Sequence, residues 1–182
     1  MSTKTQATVE DLYRIRDRGK AEIVNGKIVL MSPTGDMPAR AGGAIYVSLR
    51  GVERRAGARA YPDNVGFRVN LPRRKSFSPD AAFYTGPPTG MKFLEGAPAF
   101  AAEIRSENDY GREAEAEIAA KRRDYFAAGT LVVWDVDLLS VDVVRVYRAS
   151  DPDNPTVYRR GDSAEAEPAV PGWTMPIDDL FE

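Results

Sequence analysis

Three charged residues near the middle of the chain have the types and the order that metal-assisted hydrolysis requires. Asp80 follows Pro79 at the start of one apolar segment, Glu103 closes the next, and Lys121 follows in a helical stretch. Two carboxylates can hold a divalent cation, which lowers the pKa of a bound water. A neighbouring ammonium can orient that water or stabilise the negative charge that develops. We interpret the rest of the sequence as the scaffold for these positions.

The composition excludes several other chemistries. The 182 residues include no cysteine and no histidine. This removes thiolate metal sites, cysteine nucleophiles, Ser-His-Asp triads and histidine-ligated zinc. Catalysis would therefore depend on carboxylates, Lys, Arg, Tyr or Ser, with a hard, oxygen-preferring cation such as Mg²⁺ or Mn²⁺. The formal charge of -2 neither supports nor excludes a nucleic acid partner.

The segment 98–105 is predicted to be a strand that carries an acid and a base on one face. Alternation along a strand places Ala101, Glu103 and Arg105 on the same side. The small alanine leaves space around Glu103, and a neighbouring strand that carries Asp80 could bring the two carboxylates together. We therefore expect Arg105 to reach the same phosphate or charge as Glu103.

Lys121 lies in the apolar stripe of a predicted helix. Helical periodicity places it on the same side as Ile118 and Tyr125, the side expected to face the sheet. A buried ammonium requires a partner, which Asp80 or Glu103 could provide. The alternative is a lysine whose stem lies on apolar surface while its ammonium reaches water. Arg123, on the outer face, is expected to be solvated.

Glu22 precedes a predicted hairpin. Asn25-Gly26 separates two β-rich runs, and this dipeptide is the strongest short signal of a hairpin turn. Glu22 is a candidate third acid of the site. An ordinary exposed glutamate is the alternative interpretation.

The remaining pattern predicts a mixed α/β (α+β) fold in a single domain, residues 1–182, with a core at about 8–148 and a C-terminal extension at 149–182. The apolar run at 131–136 is typical of a central strand. The loop at 85–98, which is rich in Gly and Pro, is a candidate lid over the substrate. Helices are predicted over 8–18, 39–55 and 109–128, and further strands over 58–61, 65–71 and 141–148.

Two groups of basic residues could contact phosphates. Arg50, Arg54 and Arg55 lie near the end of a predicted helix, where a solvated face is the usual interpretation. Arg73-Arg74-Lys75 is predicted to be an exposed basic turn. Contacts with DNA from these residues require that they share a face.

The sequence shows no apolar run of the length of a membrane span and no signal-peptide core. We therefore expect a soluble cytoplasmic protein.

Several segments together resemble a known family. The similarity covers about residues 8–148 and rests on Glu22–Val29, Met31–Gly35, Ser78–Phe83, Ala102–Ser106, Lys121–Tyr125, Ala128–Gly129 and Val133–Asp135. In this order they are similar to the Uma-two family (DUF820) of restriction endonucleases, within the PD-(D/E)xK nuclease superfamily. The resemblance implies a restriction-endonuclease-like mixed sheet flanked by helices, with Asp80 and Glu103 as metal ligands. It further implies that the active lysine has moved from the strand to the helix, which fits Lys121, and that Glu22 is a site residue.

The chain departs from the family pattern at two places. Arg105 stands where the superfamily has a lysine, and an arginine does not accept a proton at ordinary pH. Many relatives carry a histidine after the Met-Ser-Pro-Thr-Gly segment, whereas this chain continues Asp36-Met37-Pro38.

Three functions remain open at this point. The first is a divalent-metal-dependent endonuclease acting on DNA or another nucleic acid. The second is a catalytically degenerate nuclease fold that binds nucleic acid or protein without cutting. The third is a structural or dimerising protein, in which an apolar patch at 173–181 could pair two copies as a homodimer.

Overall fold

The computed structural model of the chain describes residues 6–15 and 19–182. The helices are α1 (Val9–Arg14), α2 (Asp36–Arg50), α3 (Glu53–Ala56), α4 (Arg112–Ala127) and a final 3₁₀ helix (Ile177–Phe181). The strands are β1 (Ala21–Val24), β2 (Lys27–Leu30), β3 (Arg59–Pro62), β4 (Phe67–Arg68), β5 (Ser76–Phe77), β6 (Ala81–Tyr84), β7 (Leu94–Glu95), β8 (Phe100–Ile104), β9 (Val132–Val136), β10 (Val144–Arg148), β11 (Asp151–Tyr158), β12 (Ser163–Glu165) and β13 (Thr174–Pro176).

A six-stranded sheet with the order β11-β10-β9-β8-β6-β3 forms the centre of the fold. Strands β8 and β9 are parallel, and every other neighbouring pair is antiparallel. The apolar run predicted as a central strand is β9, and it is buried along its whole length. The hairpin predicted between this strand and 141–148 is also confirmed, because β10 pairs with β9. The predicted mixed α+β fold class is therefore confirmed.

The two faces of the sheet are covered by different elements. On one face, Ile45 and Leu49 of α2 pack in the same cluster as Phe100 and Trp134. On the other face, Tyr125 of α4 packs with alternate residues of the same strands and with the small sheet β5-β4-β7. Successive side chains of β8 therefore point either toward α2 or toward α4, as strand alternation requires.

Several predicted boundaries differ from the structure. The helix predicted over 39–55 begins at Asp36 and ends at Arg50. The separate short helix α3 follows Gly51. The early start is possible because Pro38 lies in the first turn, where its missing N–H has no helical partner. The helix predicted from 109 begins at Arg112, since Asp109 instead accepts a hydrogen bond from the Ser106 N–H at 2.6 Å.

Three shorter predictions are also revised. The strand predicted over 65–71 is reduced to Phe67–Arg68, and the loop at 85–98 includes the short strand β7. The first helix begins at its predicted Thr8 cap but ends at Arg14, while 16–18 lie outside the described residues.

The C-terminal segment is part of the main core. Trp173 is 3% exposed, stacks on Trp134 with ring centroids 5.1 Å apart, and donates a hydrogen bond from its indole to Ser48. Ile177 and Leu180 are buried in the same cluster. The hypothesis that 173–181 offers an apolar patch to a second copy is therefore wrong, because Trp173, Met175, Ile177 and Leu180 are already covered by the core. The homodimer itself stays a prediction.

Within the described part of the chain, no helix combines the length and apolar character needed to cross a membrane.

Candidate active site

Asp80 immediately precedes β6, and Glu103 lies in the neighbouring strand β8. The β6–β8 ladder ends with the pair Ala81 and Ala102, the residues next to Asp80 and Glu103. The Asp80 N–H donates to the Ala102 carbonyl at 3.0 Å, and Asp80 Oδ2 accepts from the Ile104 N–H at 2.7 Å. These two hydrogen bonds involve the residues directly before and after Glu103. Glu103 points toward α4, where Lys121 and Tyr125 bind it. Asp80 lies beside α2 and near enough to Glu103 for its negative charge to raise the pKa of Glu103.

Lys121 meets this acid pair from α4. Its ammonium lies 2.7 Å from Glu103 Oε2 and 3.0 Å from Glu22 Oε1, and its side chain is 18% exposed. Of the two interpretations that the sequence left open for Lys121, the structure shows the paired one. The helix places the ammonium here because its apolar stripe packs on the sheet.

Glu22 is a buried member of the same cluster, with 2% exposure. It forms an ion pair with Arg74, and its Oε1 accepts from the Ser78 N–H at 2.8 Å in addition to contacting Lys121. The interpretation of Glu22 as an ordinary exposed glutamate is therefore wrong. Glu22 is held by partners within the chain on both carboxylate oxygens.

Lys20 also belongs to the cluster, although the sequence pattern did not predict it as a site residue. The Lys20 ammonium lies 2.6 Å from Asp80 Oδ1 and 2.7 Å from Asp63 Oδ1. One signal was present, because Lys20 stands two residues before Glu22 next to the predicted strand, and residues with this spacing share a face. The partner Asp63 could not be found in this way, since the sequence assigns it to a turn.

The position of Arg74 corrects a prediction. Arg73-Arg74-Lys75 was expected to be an exposed turn, but Arg74 is 4% exposed, because a β-bridge between Val24 and Arg74 draws it under the first hairpin. Its guanidinium contacts Glu22 and also Asp124, at 2.9 Å. Arg74 is therefore unavailable to DNA and instead holds the acid network in place.

Tyr125 forms a hydrogen bond within the cluster. The sequence did not predict this bond, because Tyr125 lies in an apolar stripe of the helix. Its hydroxyl donates to Glu103 Oε1 at 2.5 Å, while its ring stacks on Phe77 with centroids 4.0 Å apart. Glu103 is thus fixed by Tyr125 on one oxygen and by Lys121 on the other.

Arg105 does not join the acid pair. Its guanidinium binds Asp135 through two hydrogen bonds of 2.8 Å and also pairs with Glu115 of α4. The side chain is 7% exposed. Arg105 was expected to reach the same phosphate or charge as Glu103, but Asp135 and Glu115, which lie outside the acid pair, bind it.

The acids of the cluster have opposite pKa shifts. Burial is the main cause of the raised pKa of Glu103, and the negative charges of Asp80 and Glu22 also raise this pKa, against the lowering effect of Lys121 and Lys20. Burial alone would raise the pKa of Glu22, but Lys121 and Arg74 hold that pKa below its ordinary range. Glu22 is thus the more readily ionised of the two acids, and Glu103 is the one whose charged form burial disfavours.

Both lysines remain protonated. Burial alone would lower the pKa of Lys121, but Glu103 and Glu22 raise it above the usual range. The pKa of Lys20 is likewise raised by Asp80 and Glu103 against the effect of burial. Neither lysine is therefore available as a general base at neutral pH.

The donor set fits a hard cation on chemical grounds. Asp80 and Glu103 are carboxylates whose charges interact, carboxylate oxygens are the ligands that Mg²⁺ and Mn²⁺ prefer, and water completes such sites. Among residues 6–15 and 19–182, no group of three or more Asp, Glu, His or Cys has the arrangement of a metal site. The candidate cation site therefore has two protein ligands, Asp80 and Glu103.

Arg74 supplies a stability prediction. We expect Arg74→Met to lower the free energy of unfolding by about 3–5 kcal/mol, because it leaves Glu22 and Asp124 buried without their cation. Arg73→Met is the matched control. Arg73 also contacts Asp124 but is 43% exposed, so its loss should cost about 1 kcal/mol or less. Urea unfolding of both variants measures the difference, and equal losses would contradict the role of Arg74.

Within this fold, Asp80 and Glu103 approach each other from the start of β6 and from β8, and Lys121 binds Glu103 from α4. The chain belongs to the Uma2 family, described as "putative restriction endonuclease", whose sequence profile matches residues 7–178. It is also similar to a crystal structure described as "a putative nuclease belonging to DUF820 from Anabaena variabilis ATCC 29413". The TM-score is 0.73 at 18% identity, over 96% of this chain and 97% of that chain, which shows a shared fold. No curated protein matches the chain significantly.

Proposed function

We propose that this protein is a divalent-metal-dependent endonuclease that hydrolyses phosphodiester bonds in DNA. Membership of the Uma2 family supports a nuclease function. The observation that carries the proposal is the convergence of Asp80 and Glu103 from neighbouring strands, with Lys121 bound to Glu103 at 2.7 Å.

Each residue of the cluster has a distinct role in this proposal. Asp80 and Glu103 would hold Mg²⁺ or Mn²⁺, which would supply an activated water and neutralise charge on the scissile phosphate. Lys121 would orient the attacking water or stabilise the negative charge that develops on the phosphate. Glu22 is the third acid of the site, and it contacts the Lys121 ammonium at 3.0 Å. Tyr125 fixes the orientation of Glu103.

Arg105 has a positioning role here and makes no contact with the reacting phosphate. Through Asp135 it links β8 to β9, and through Glu115 it links both strands to α4. It therefore fixes the helix that carries Lys121 relative to the strand that carries Glu103.

DNA contacts outside the catalytic cluster would come from exposed basic side chains. Arg54 and Arg73 are exposed, and Arg50 is exposed while paired with Glu53. Because the total charge is -2, binding depends on where these residues lie and should weaken steeply with salt.

One observation favours a second candidate, a nuclease fold that binds nucleic acid or protein without cutting it. Each of the acids Glu22, Asp80 and Glu103 is already bound by an ammonium or guanidinium of this chain. In a degenerate site these ion pairs would be the permanent state.

A cleavage assay separates the two candidates. Purified wild type and Asp80→Ala are incubated with supercoiled and with single-stranded DNA in Mg²⁺ or Mn²⁺, with EDTA as the cation-free control. We expect nicked or linear product from wild type only, and none in EDTA. Equal activity of wild type and variant would show that the cleavage comes from elsewhere. Binding without cleavage in every cation would support the second candidate.

A further inference from the structure

Lys20 bridges two aspartates at the edge of the acid cluster. Its ammonium lies 2.6 Å from Asp80 and 2.7 Å from Asp63, and its side chain is 15% exposed. Lys121 binds Glu103 in the same cluster. Each of the two proposed cation ligands therefore has an ammonium of its own, and the two lysines come from different elements of the fold.

Both partners of Lys20 line a cavity. A space of about 160 Å³ lies between α2 and the sheet, and its wall includes Asp63, Asp80, Pro62 and Gly43. On the same measure one water needs about 10–15 Å³, so the cavity has room for a group larger than a single water. A β-carbon built on Gly43 would meet no atom within 4 Å, which indicates that this side of the cavity is open.

Asp63 gives Lys20 a second place to bind. Its side chain is 46% exposed and contacts the same ammonium at 2.7 Å, so it would keep the ammonium beside the cavity if Asp80 bound another partner. A cation on Asp80 and the ammonium of Lys20 compete for the same carboxylate oxygen, because like charges at contact distance repel each other.

We propose that Lys20 is a second phosphate-binding ammonium of this site, held on Asp80 while that carboxylate lacks a divalent cation and otherwise free to contact a non-bridging oxygen of the substrate phosphate. This proposal rests on the proposed function. Lys20 then serves two purposes. It neutralises Asp80 in the cation-free protein, and it contributes positive charge where the phosphate enters.

The test depends on two effects of opposite sign in one variant. With Lys20→Gln, isothermal titration with Mn²⁺ alone should show binding that is about 3–10-fold tighter, since the competing ammonium is gone. DNA cleavage in Mg²⁺ should fall about 10–100-fold, because a charged contact to the phosphate is lost. A residue that only supports the fold would weaken both. Unchanged or weaker Mn²⁺ binding, or unchanged cleavage, would overturn the proposal.

Two further variants serve as controls. Lys27→Gln makes the same charge change at an exposed position of β2 and should alter neither measurement. Lys20→Arg keeps the positive charge and should leave Mn²⁺ affinity near that of wild type while retaining part of the cleavage. Loss of both functions in Lys20→Arg, with the fold intact by circular dichroism, would contradict a role based on charge.

The proposed function and this inference can fail separately. If wild type cleaves and Lys20→Gln cleaves equally well, the inference fails while the nuclease assignment stands. If wild type does not cleave, the nuclease assignment fails, and Lys20 is judged by Mn²⁺ titration and by binding of a duplex oligonucleotide in Ca²⁺. Tighter Mn²⁺ binding together with weaker DNA binding would support the role of Lys20, and the absence of either would overturn it.

Discussion

Replacing Glu103 with glutamine should reduce DNA cleavage by at least about 10³-fold while the protein stays folded. Loss of a single group that stabilises the transition state typically reduces catalysis by about 10²–10³-fold. Glutamine retains the shape of the side chain and an oxygen that can accept from Tyr125. It loses the negative charge that would bind the cation. In this variant we therefore expect a loss of cleavage activity without a loss of stability.

The pKa of Glu103 gives the sign of the stability change. Burial and the charges of Asp80 and Glu22 raise this pKa above its ordinary value. An acid whose pKa is raised on folding destabilises the folded state at pH values above that pKa, where it must be ionised. Glu103→Gln removes this penalty, so we expect a melting temperature at pH 7 equal to or above that of wild type.

A matched control and two assays complete this experiment. Glu113→Gln changes an exposed glutamate in the first turn of α4 and should leave cleavage unchanged. Nicking of supercoiled DNA in Mg²⁺ and thermal unfolding monitored by circular dichroism give the two readouts. Wild-type cleavage by Glu103→Gln would remove Glu103 from the proposed cation site. Loss of cleavage together with a large fall in melting temperature would indicate a structural role instead.

Replacing Lys121 with methionine should reduce cleavage by about 10²–10³-fold, the range expected when a charge that stabilises the transition state is removed. Methionine fills most of the space of the lysine stem. The ammonium that contacts both Glu103 and Glu22 is lost. Lys121→Arg keeps a cation at this position but changes its geometry, and it should retain part of the activity.

The pH dependence of the residual activity tests the same contact. Lys121 is the main influence that lowers the pKa of Glu103 against burial and against its acidic neighbours. Without Lys121, the pKa of Glu103 rises further, so Glu103 becomes protonated and loses its negative charge at a higher pH. We expect the acid limb of the kcat/KM profile to move toward higher pH in Lys121→Met.

Arg123→Met is the control for this shift. Arg123 lies on the exposed side of the same helix, so the charge change is identical while the acid cluster is untouched. Its cleavage rate and its pH profile should match those of wild type. A profile that moves equally in both variants would mean that the total charge, and not the Lys121–Glu103 contact, sets the pH dependence.

The sequence predicted the central strands and the pair of acids for physical reasons that act locally. The uninterrupted apolar run at β9 can be buried only in the middle of a sheet. The alternation of β8 fixes the face of Glu103, and the apolar stripe of α4 fixes the direction of Lys121. These patterns depend on neighbours in the chain, so they can be read without knowledge of the tertiary structure.

The partners of the charged groups could not be predicted in the same way. Arg105 has the spacing to share the task of Glu103, yet Asp135 and Glu115 bind it. Arg74 looks like part of an exposed turn, yet it is buried between Glu22 and Asp124. The choice of ion-pair partner depends on distances between segments far apart in sequence, because Coulomb attraction depends on separation in space.

The sequence by itself therefore determined which residues could form the proposed site: oxygen ligands without cysteine or histidine, one acid next to a strand and one within the neighbouring strand, and a lysine on the helix that follows. Only the tertiary structure decided which charges meet, that Lys20 joins the site, and that 173–181 belongs to the core. The reason is that periodicity fixes the face of a side chain within its own element, whereas the packing of elements against one another fixes what that face contacts.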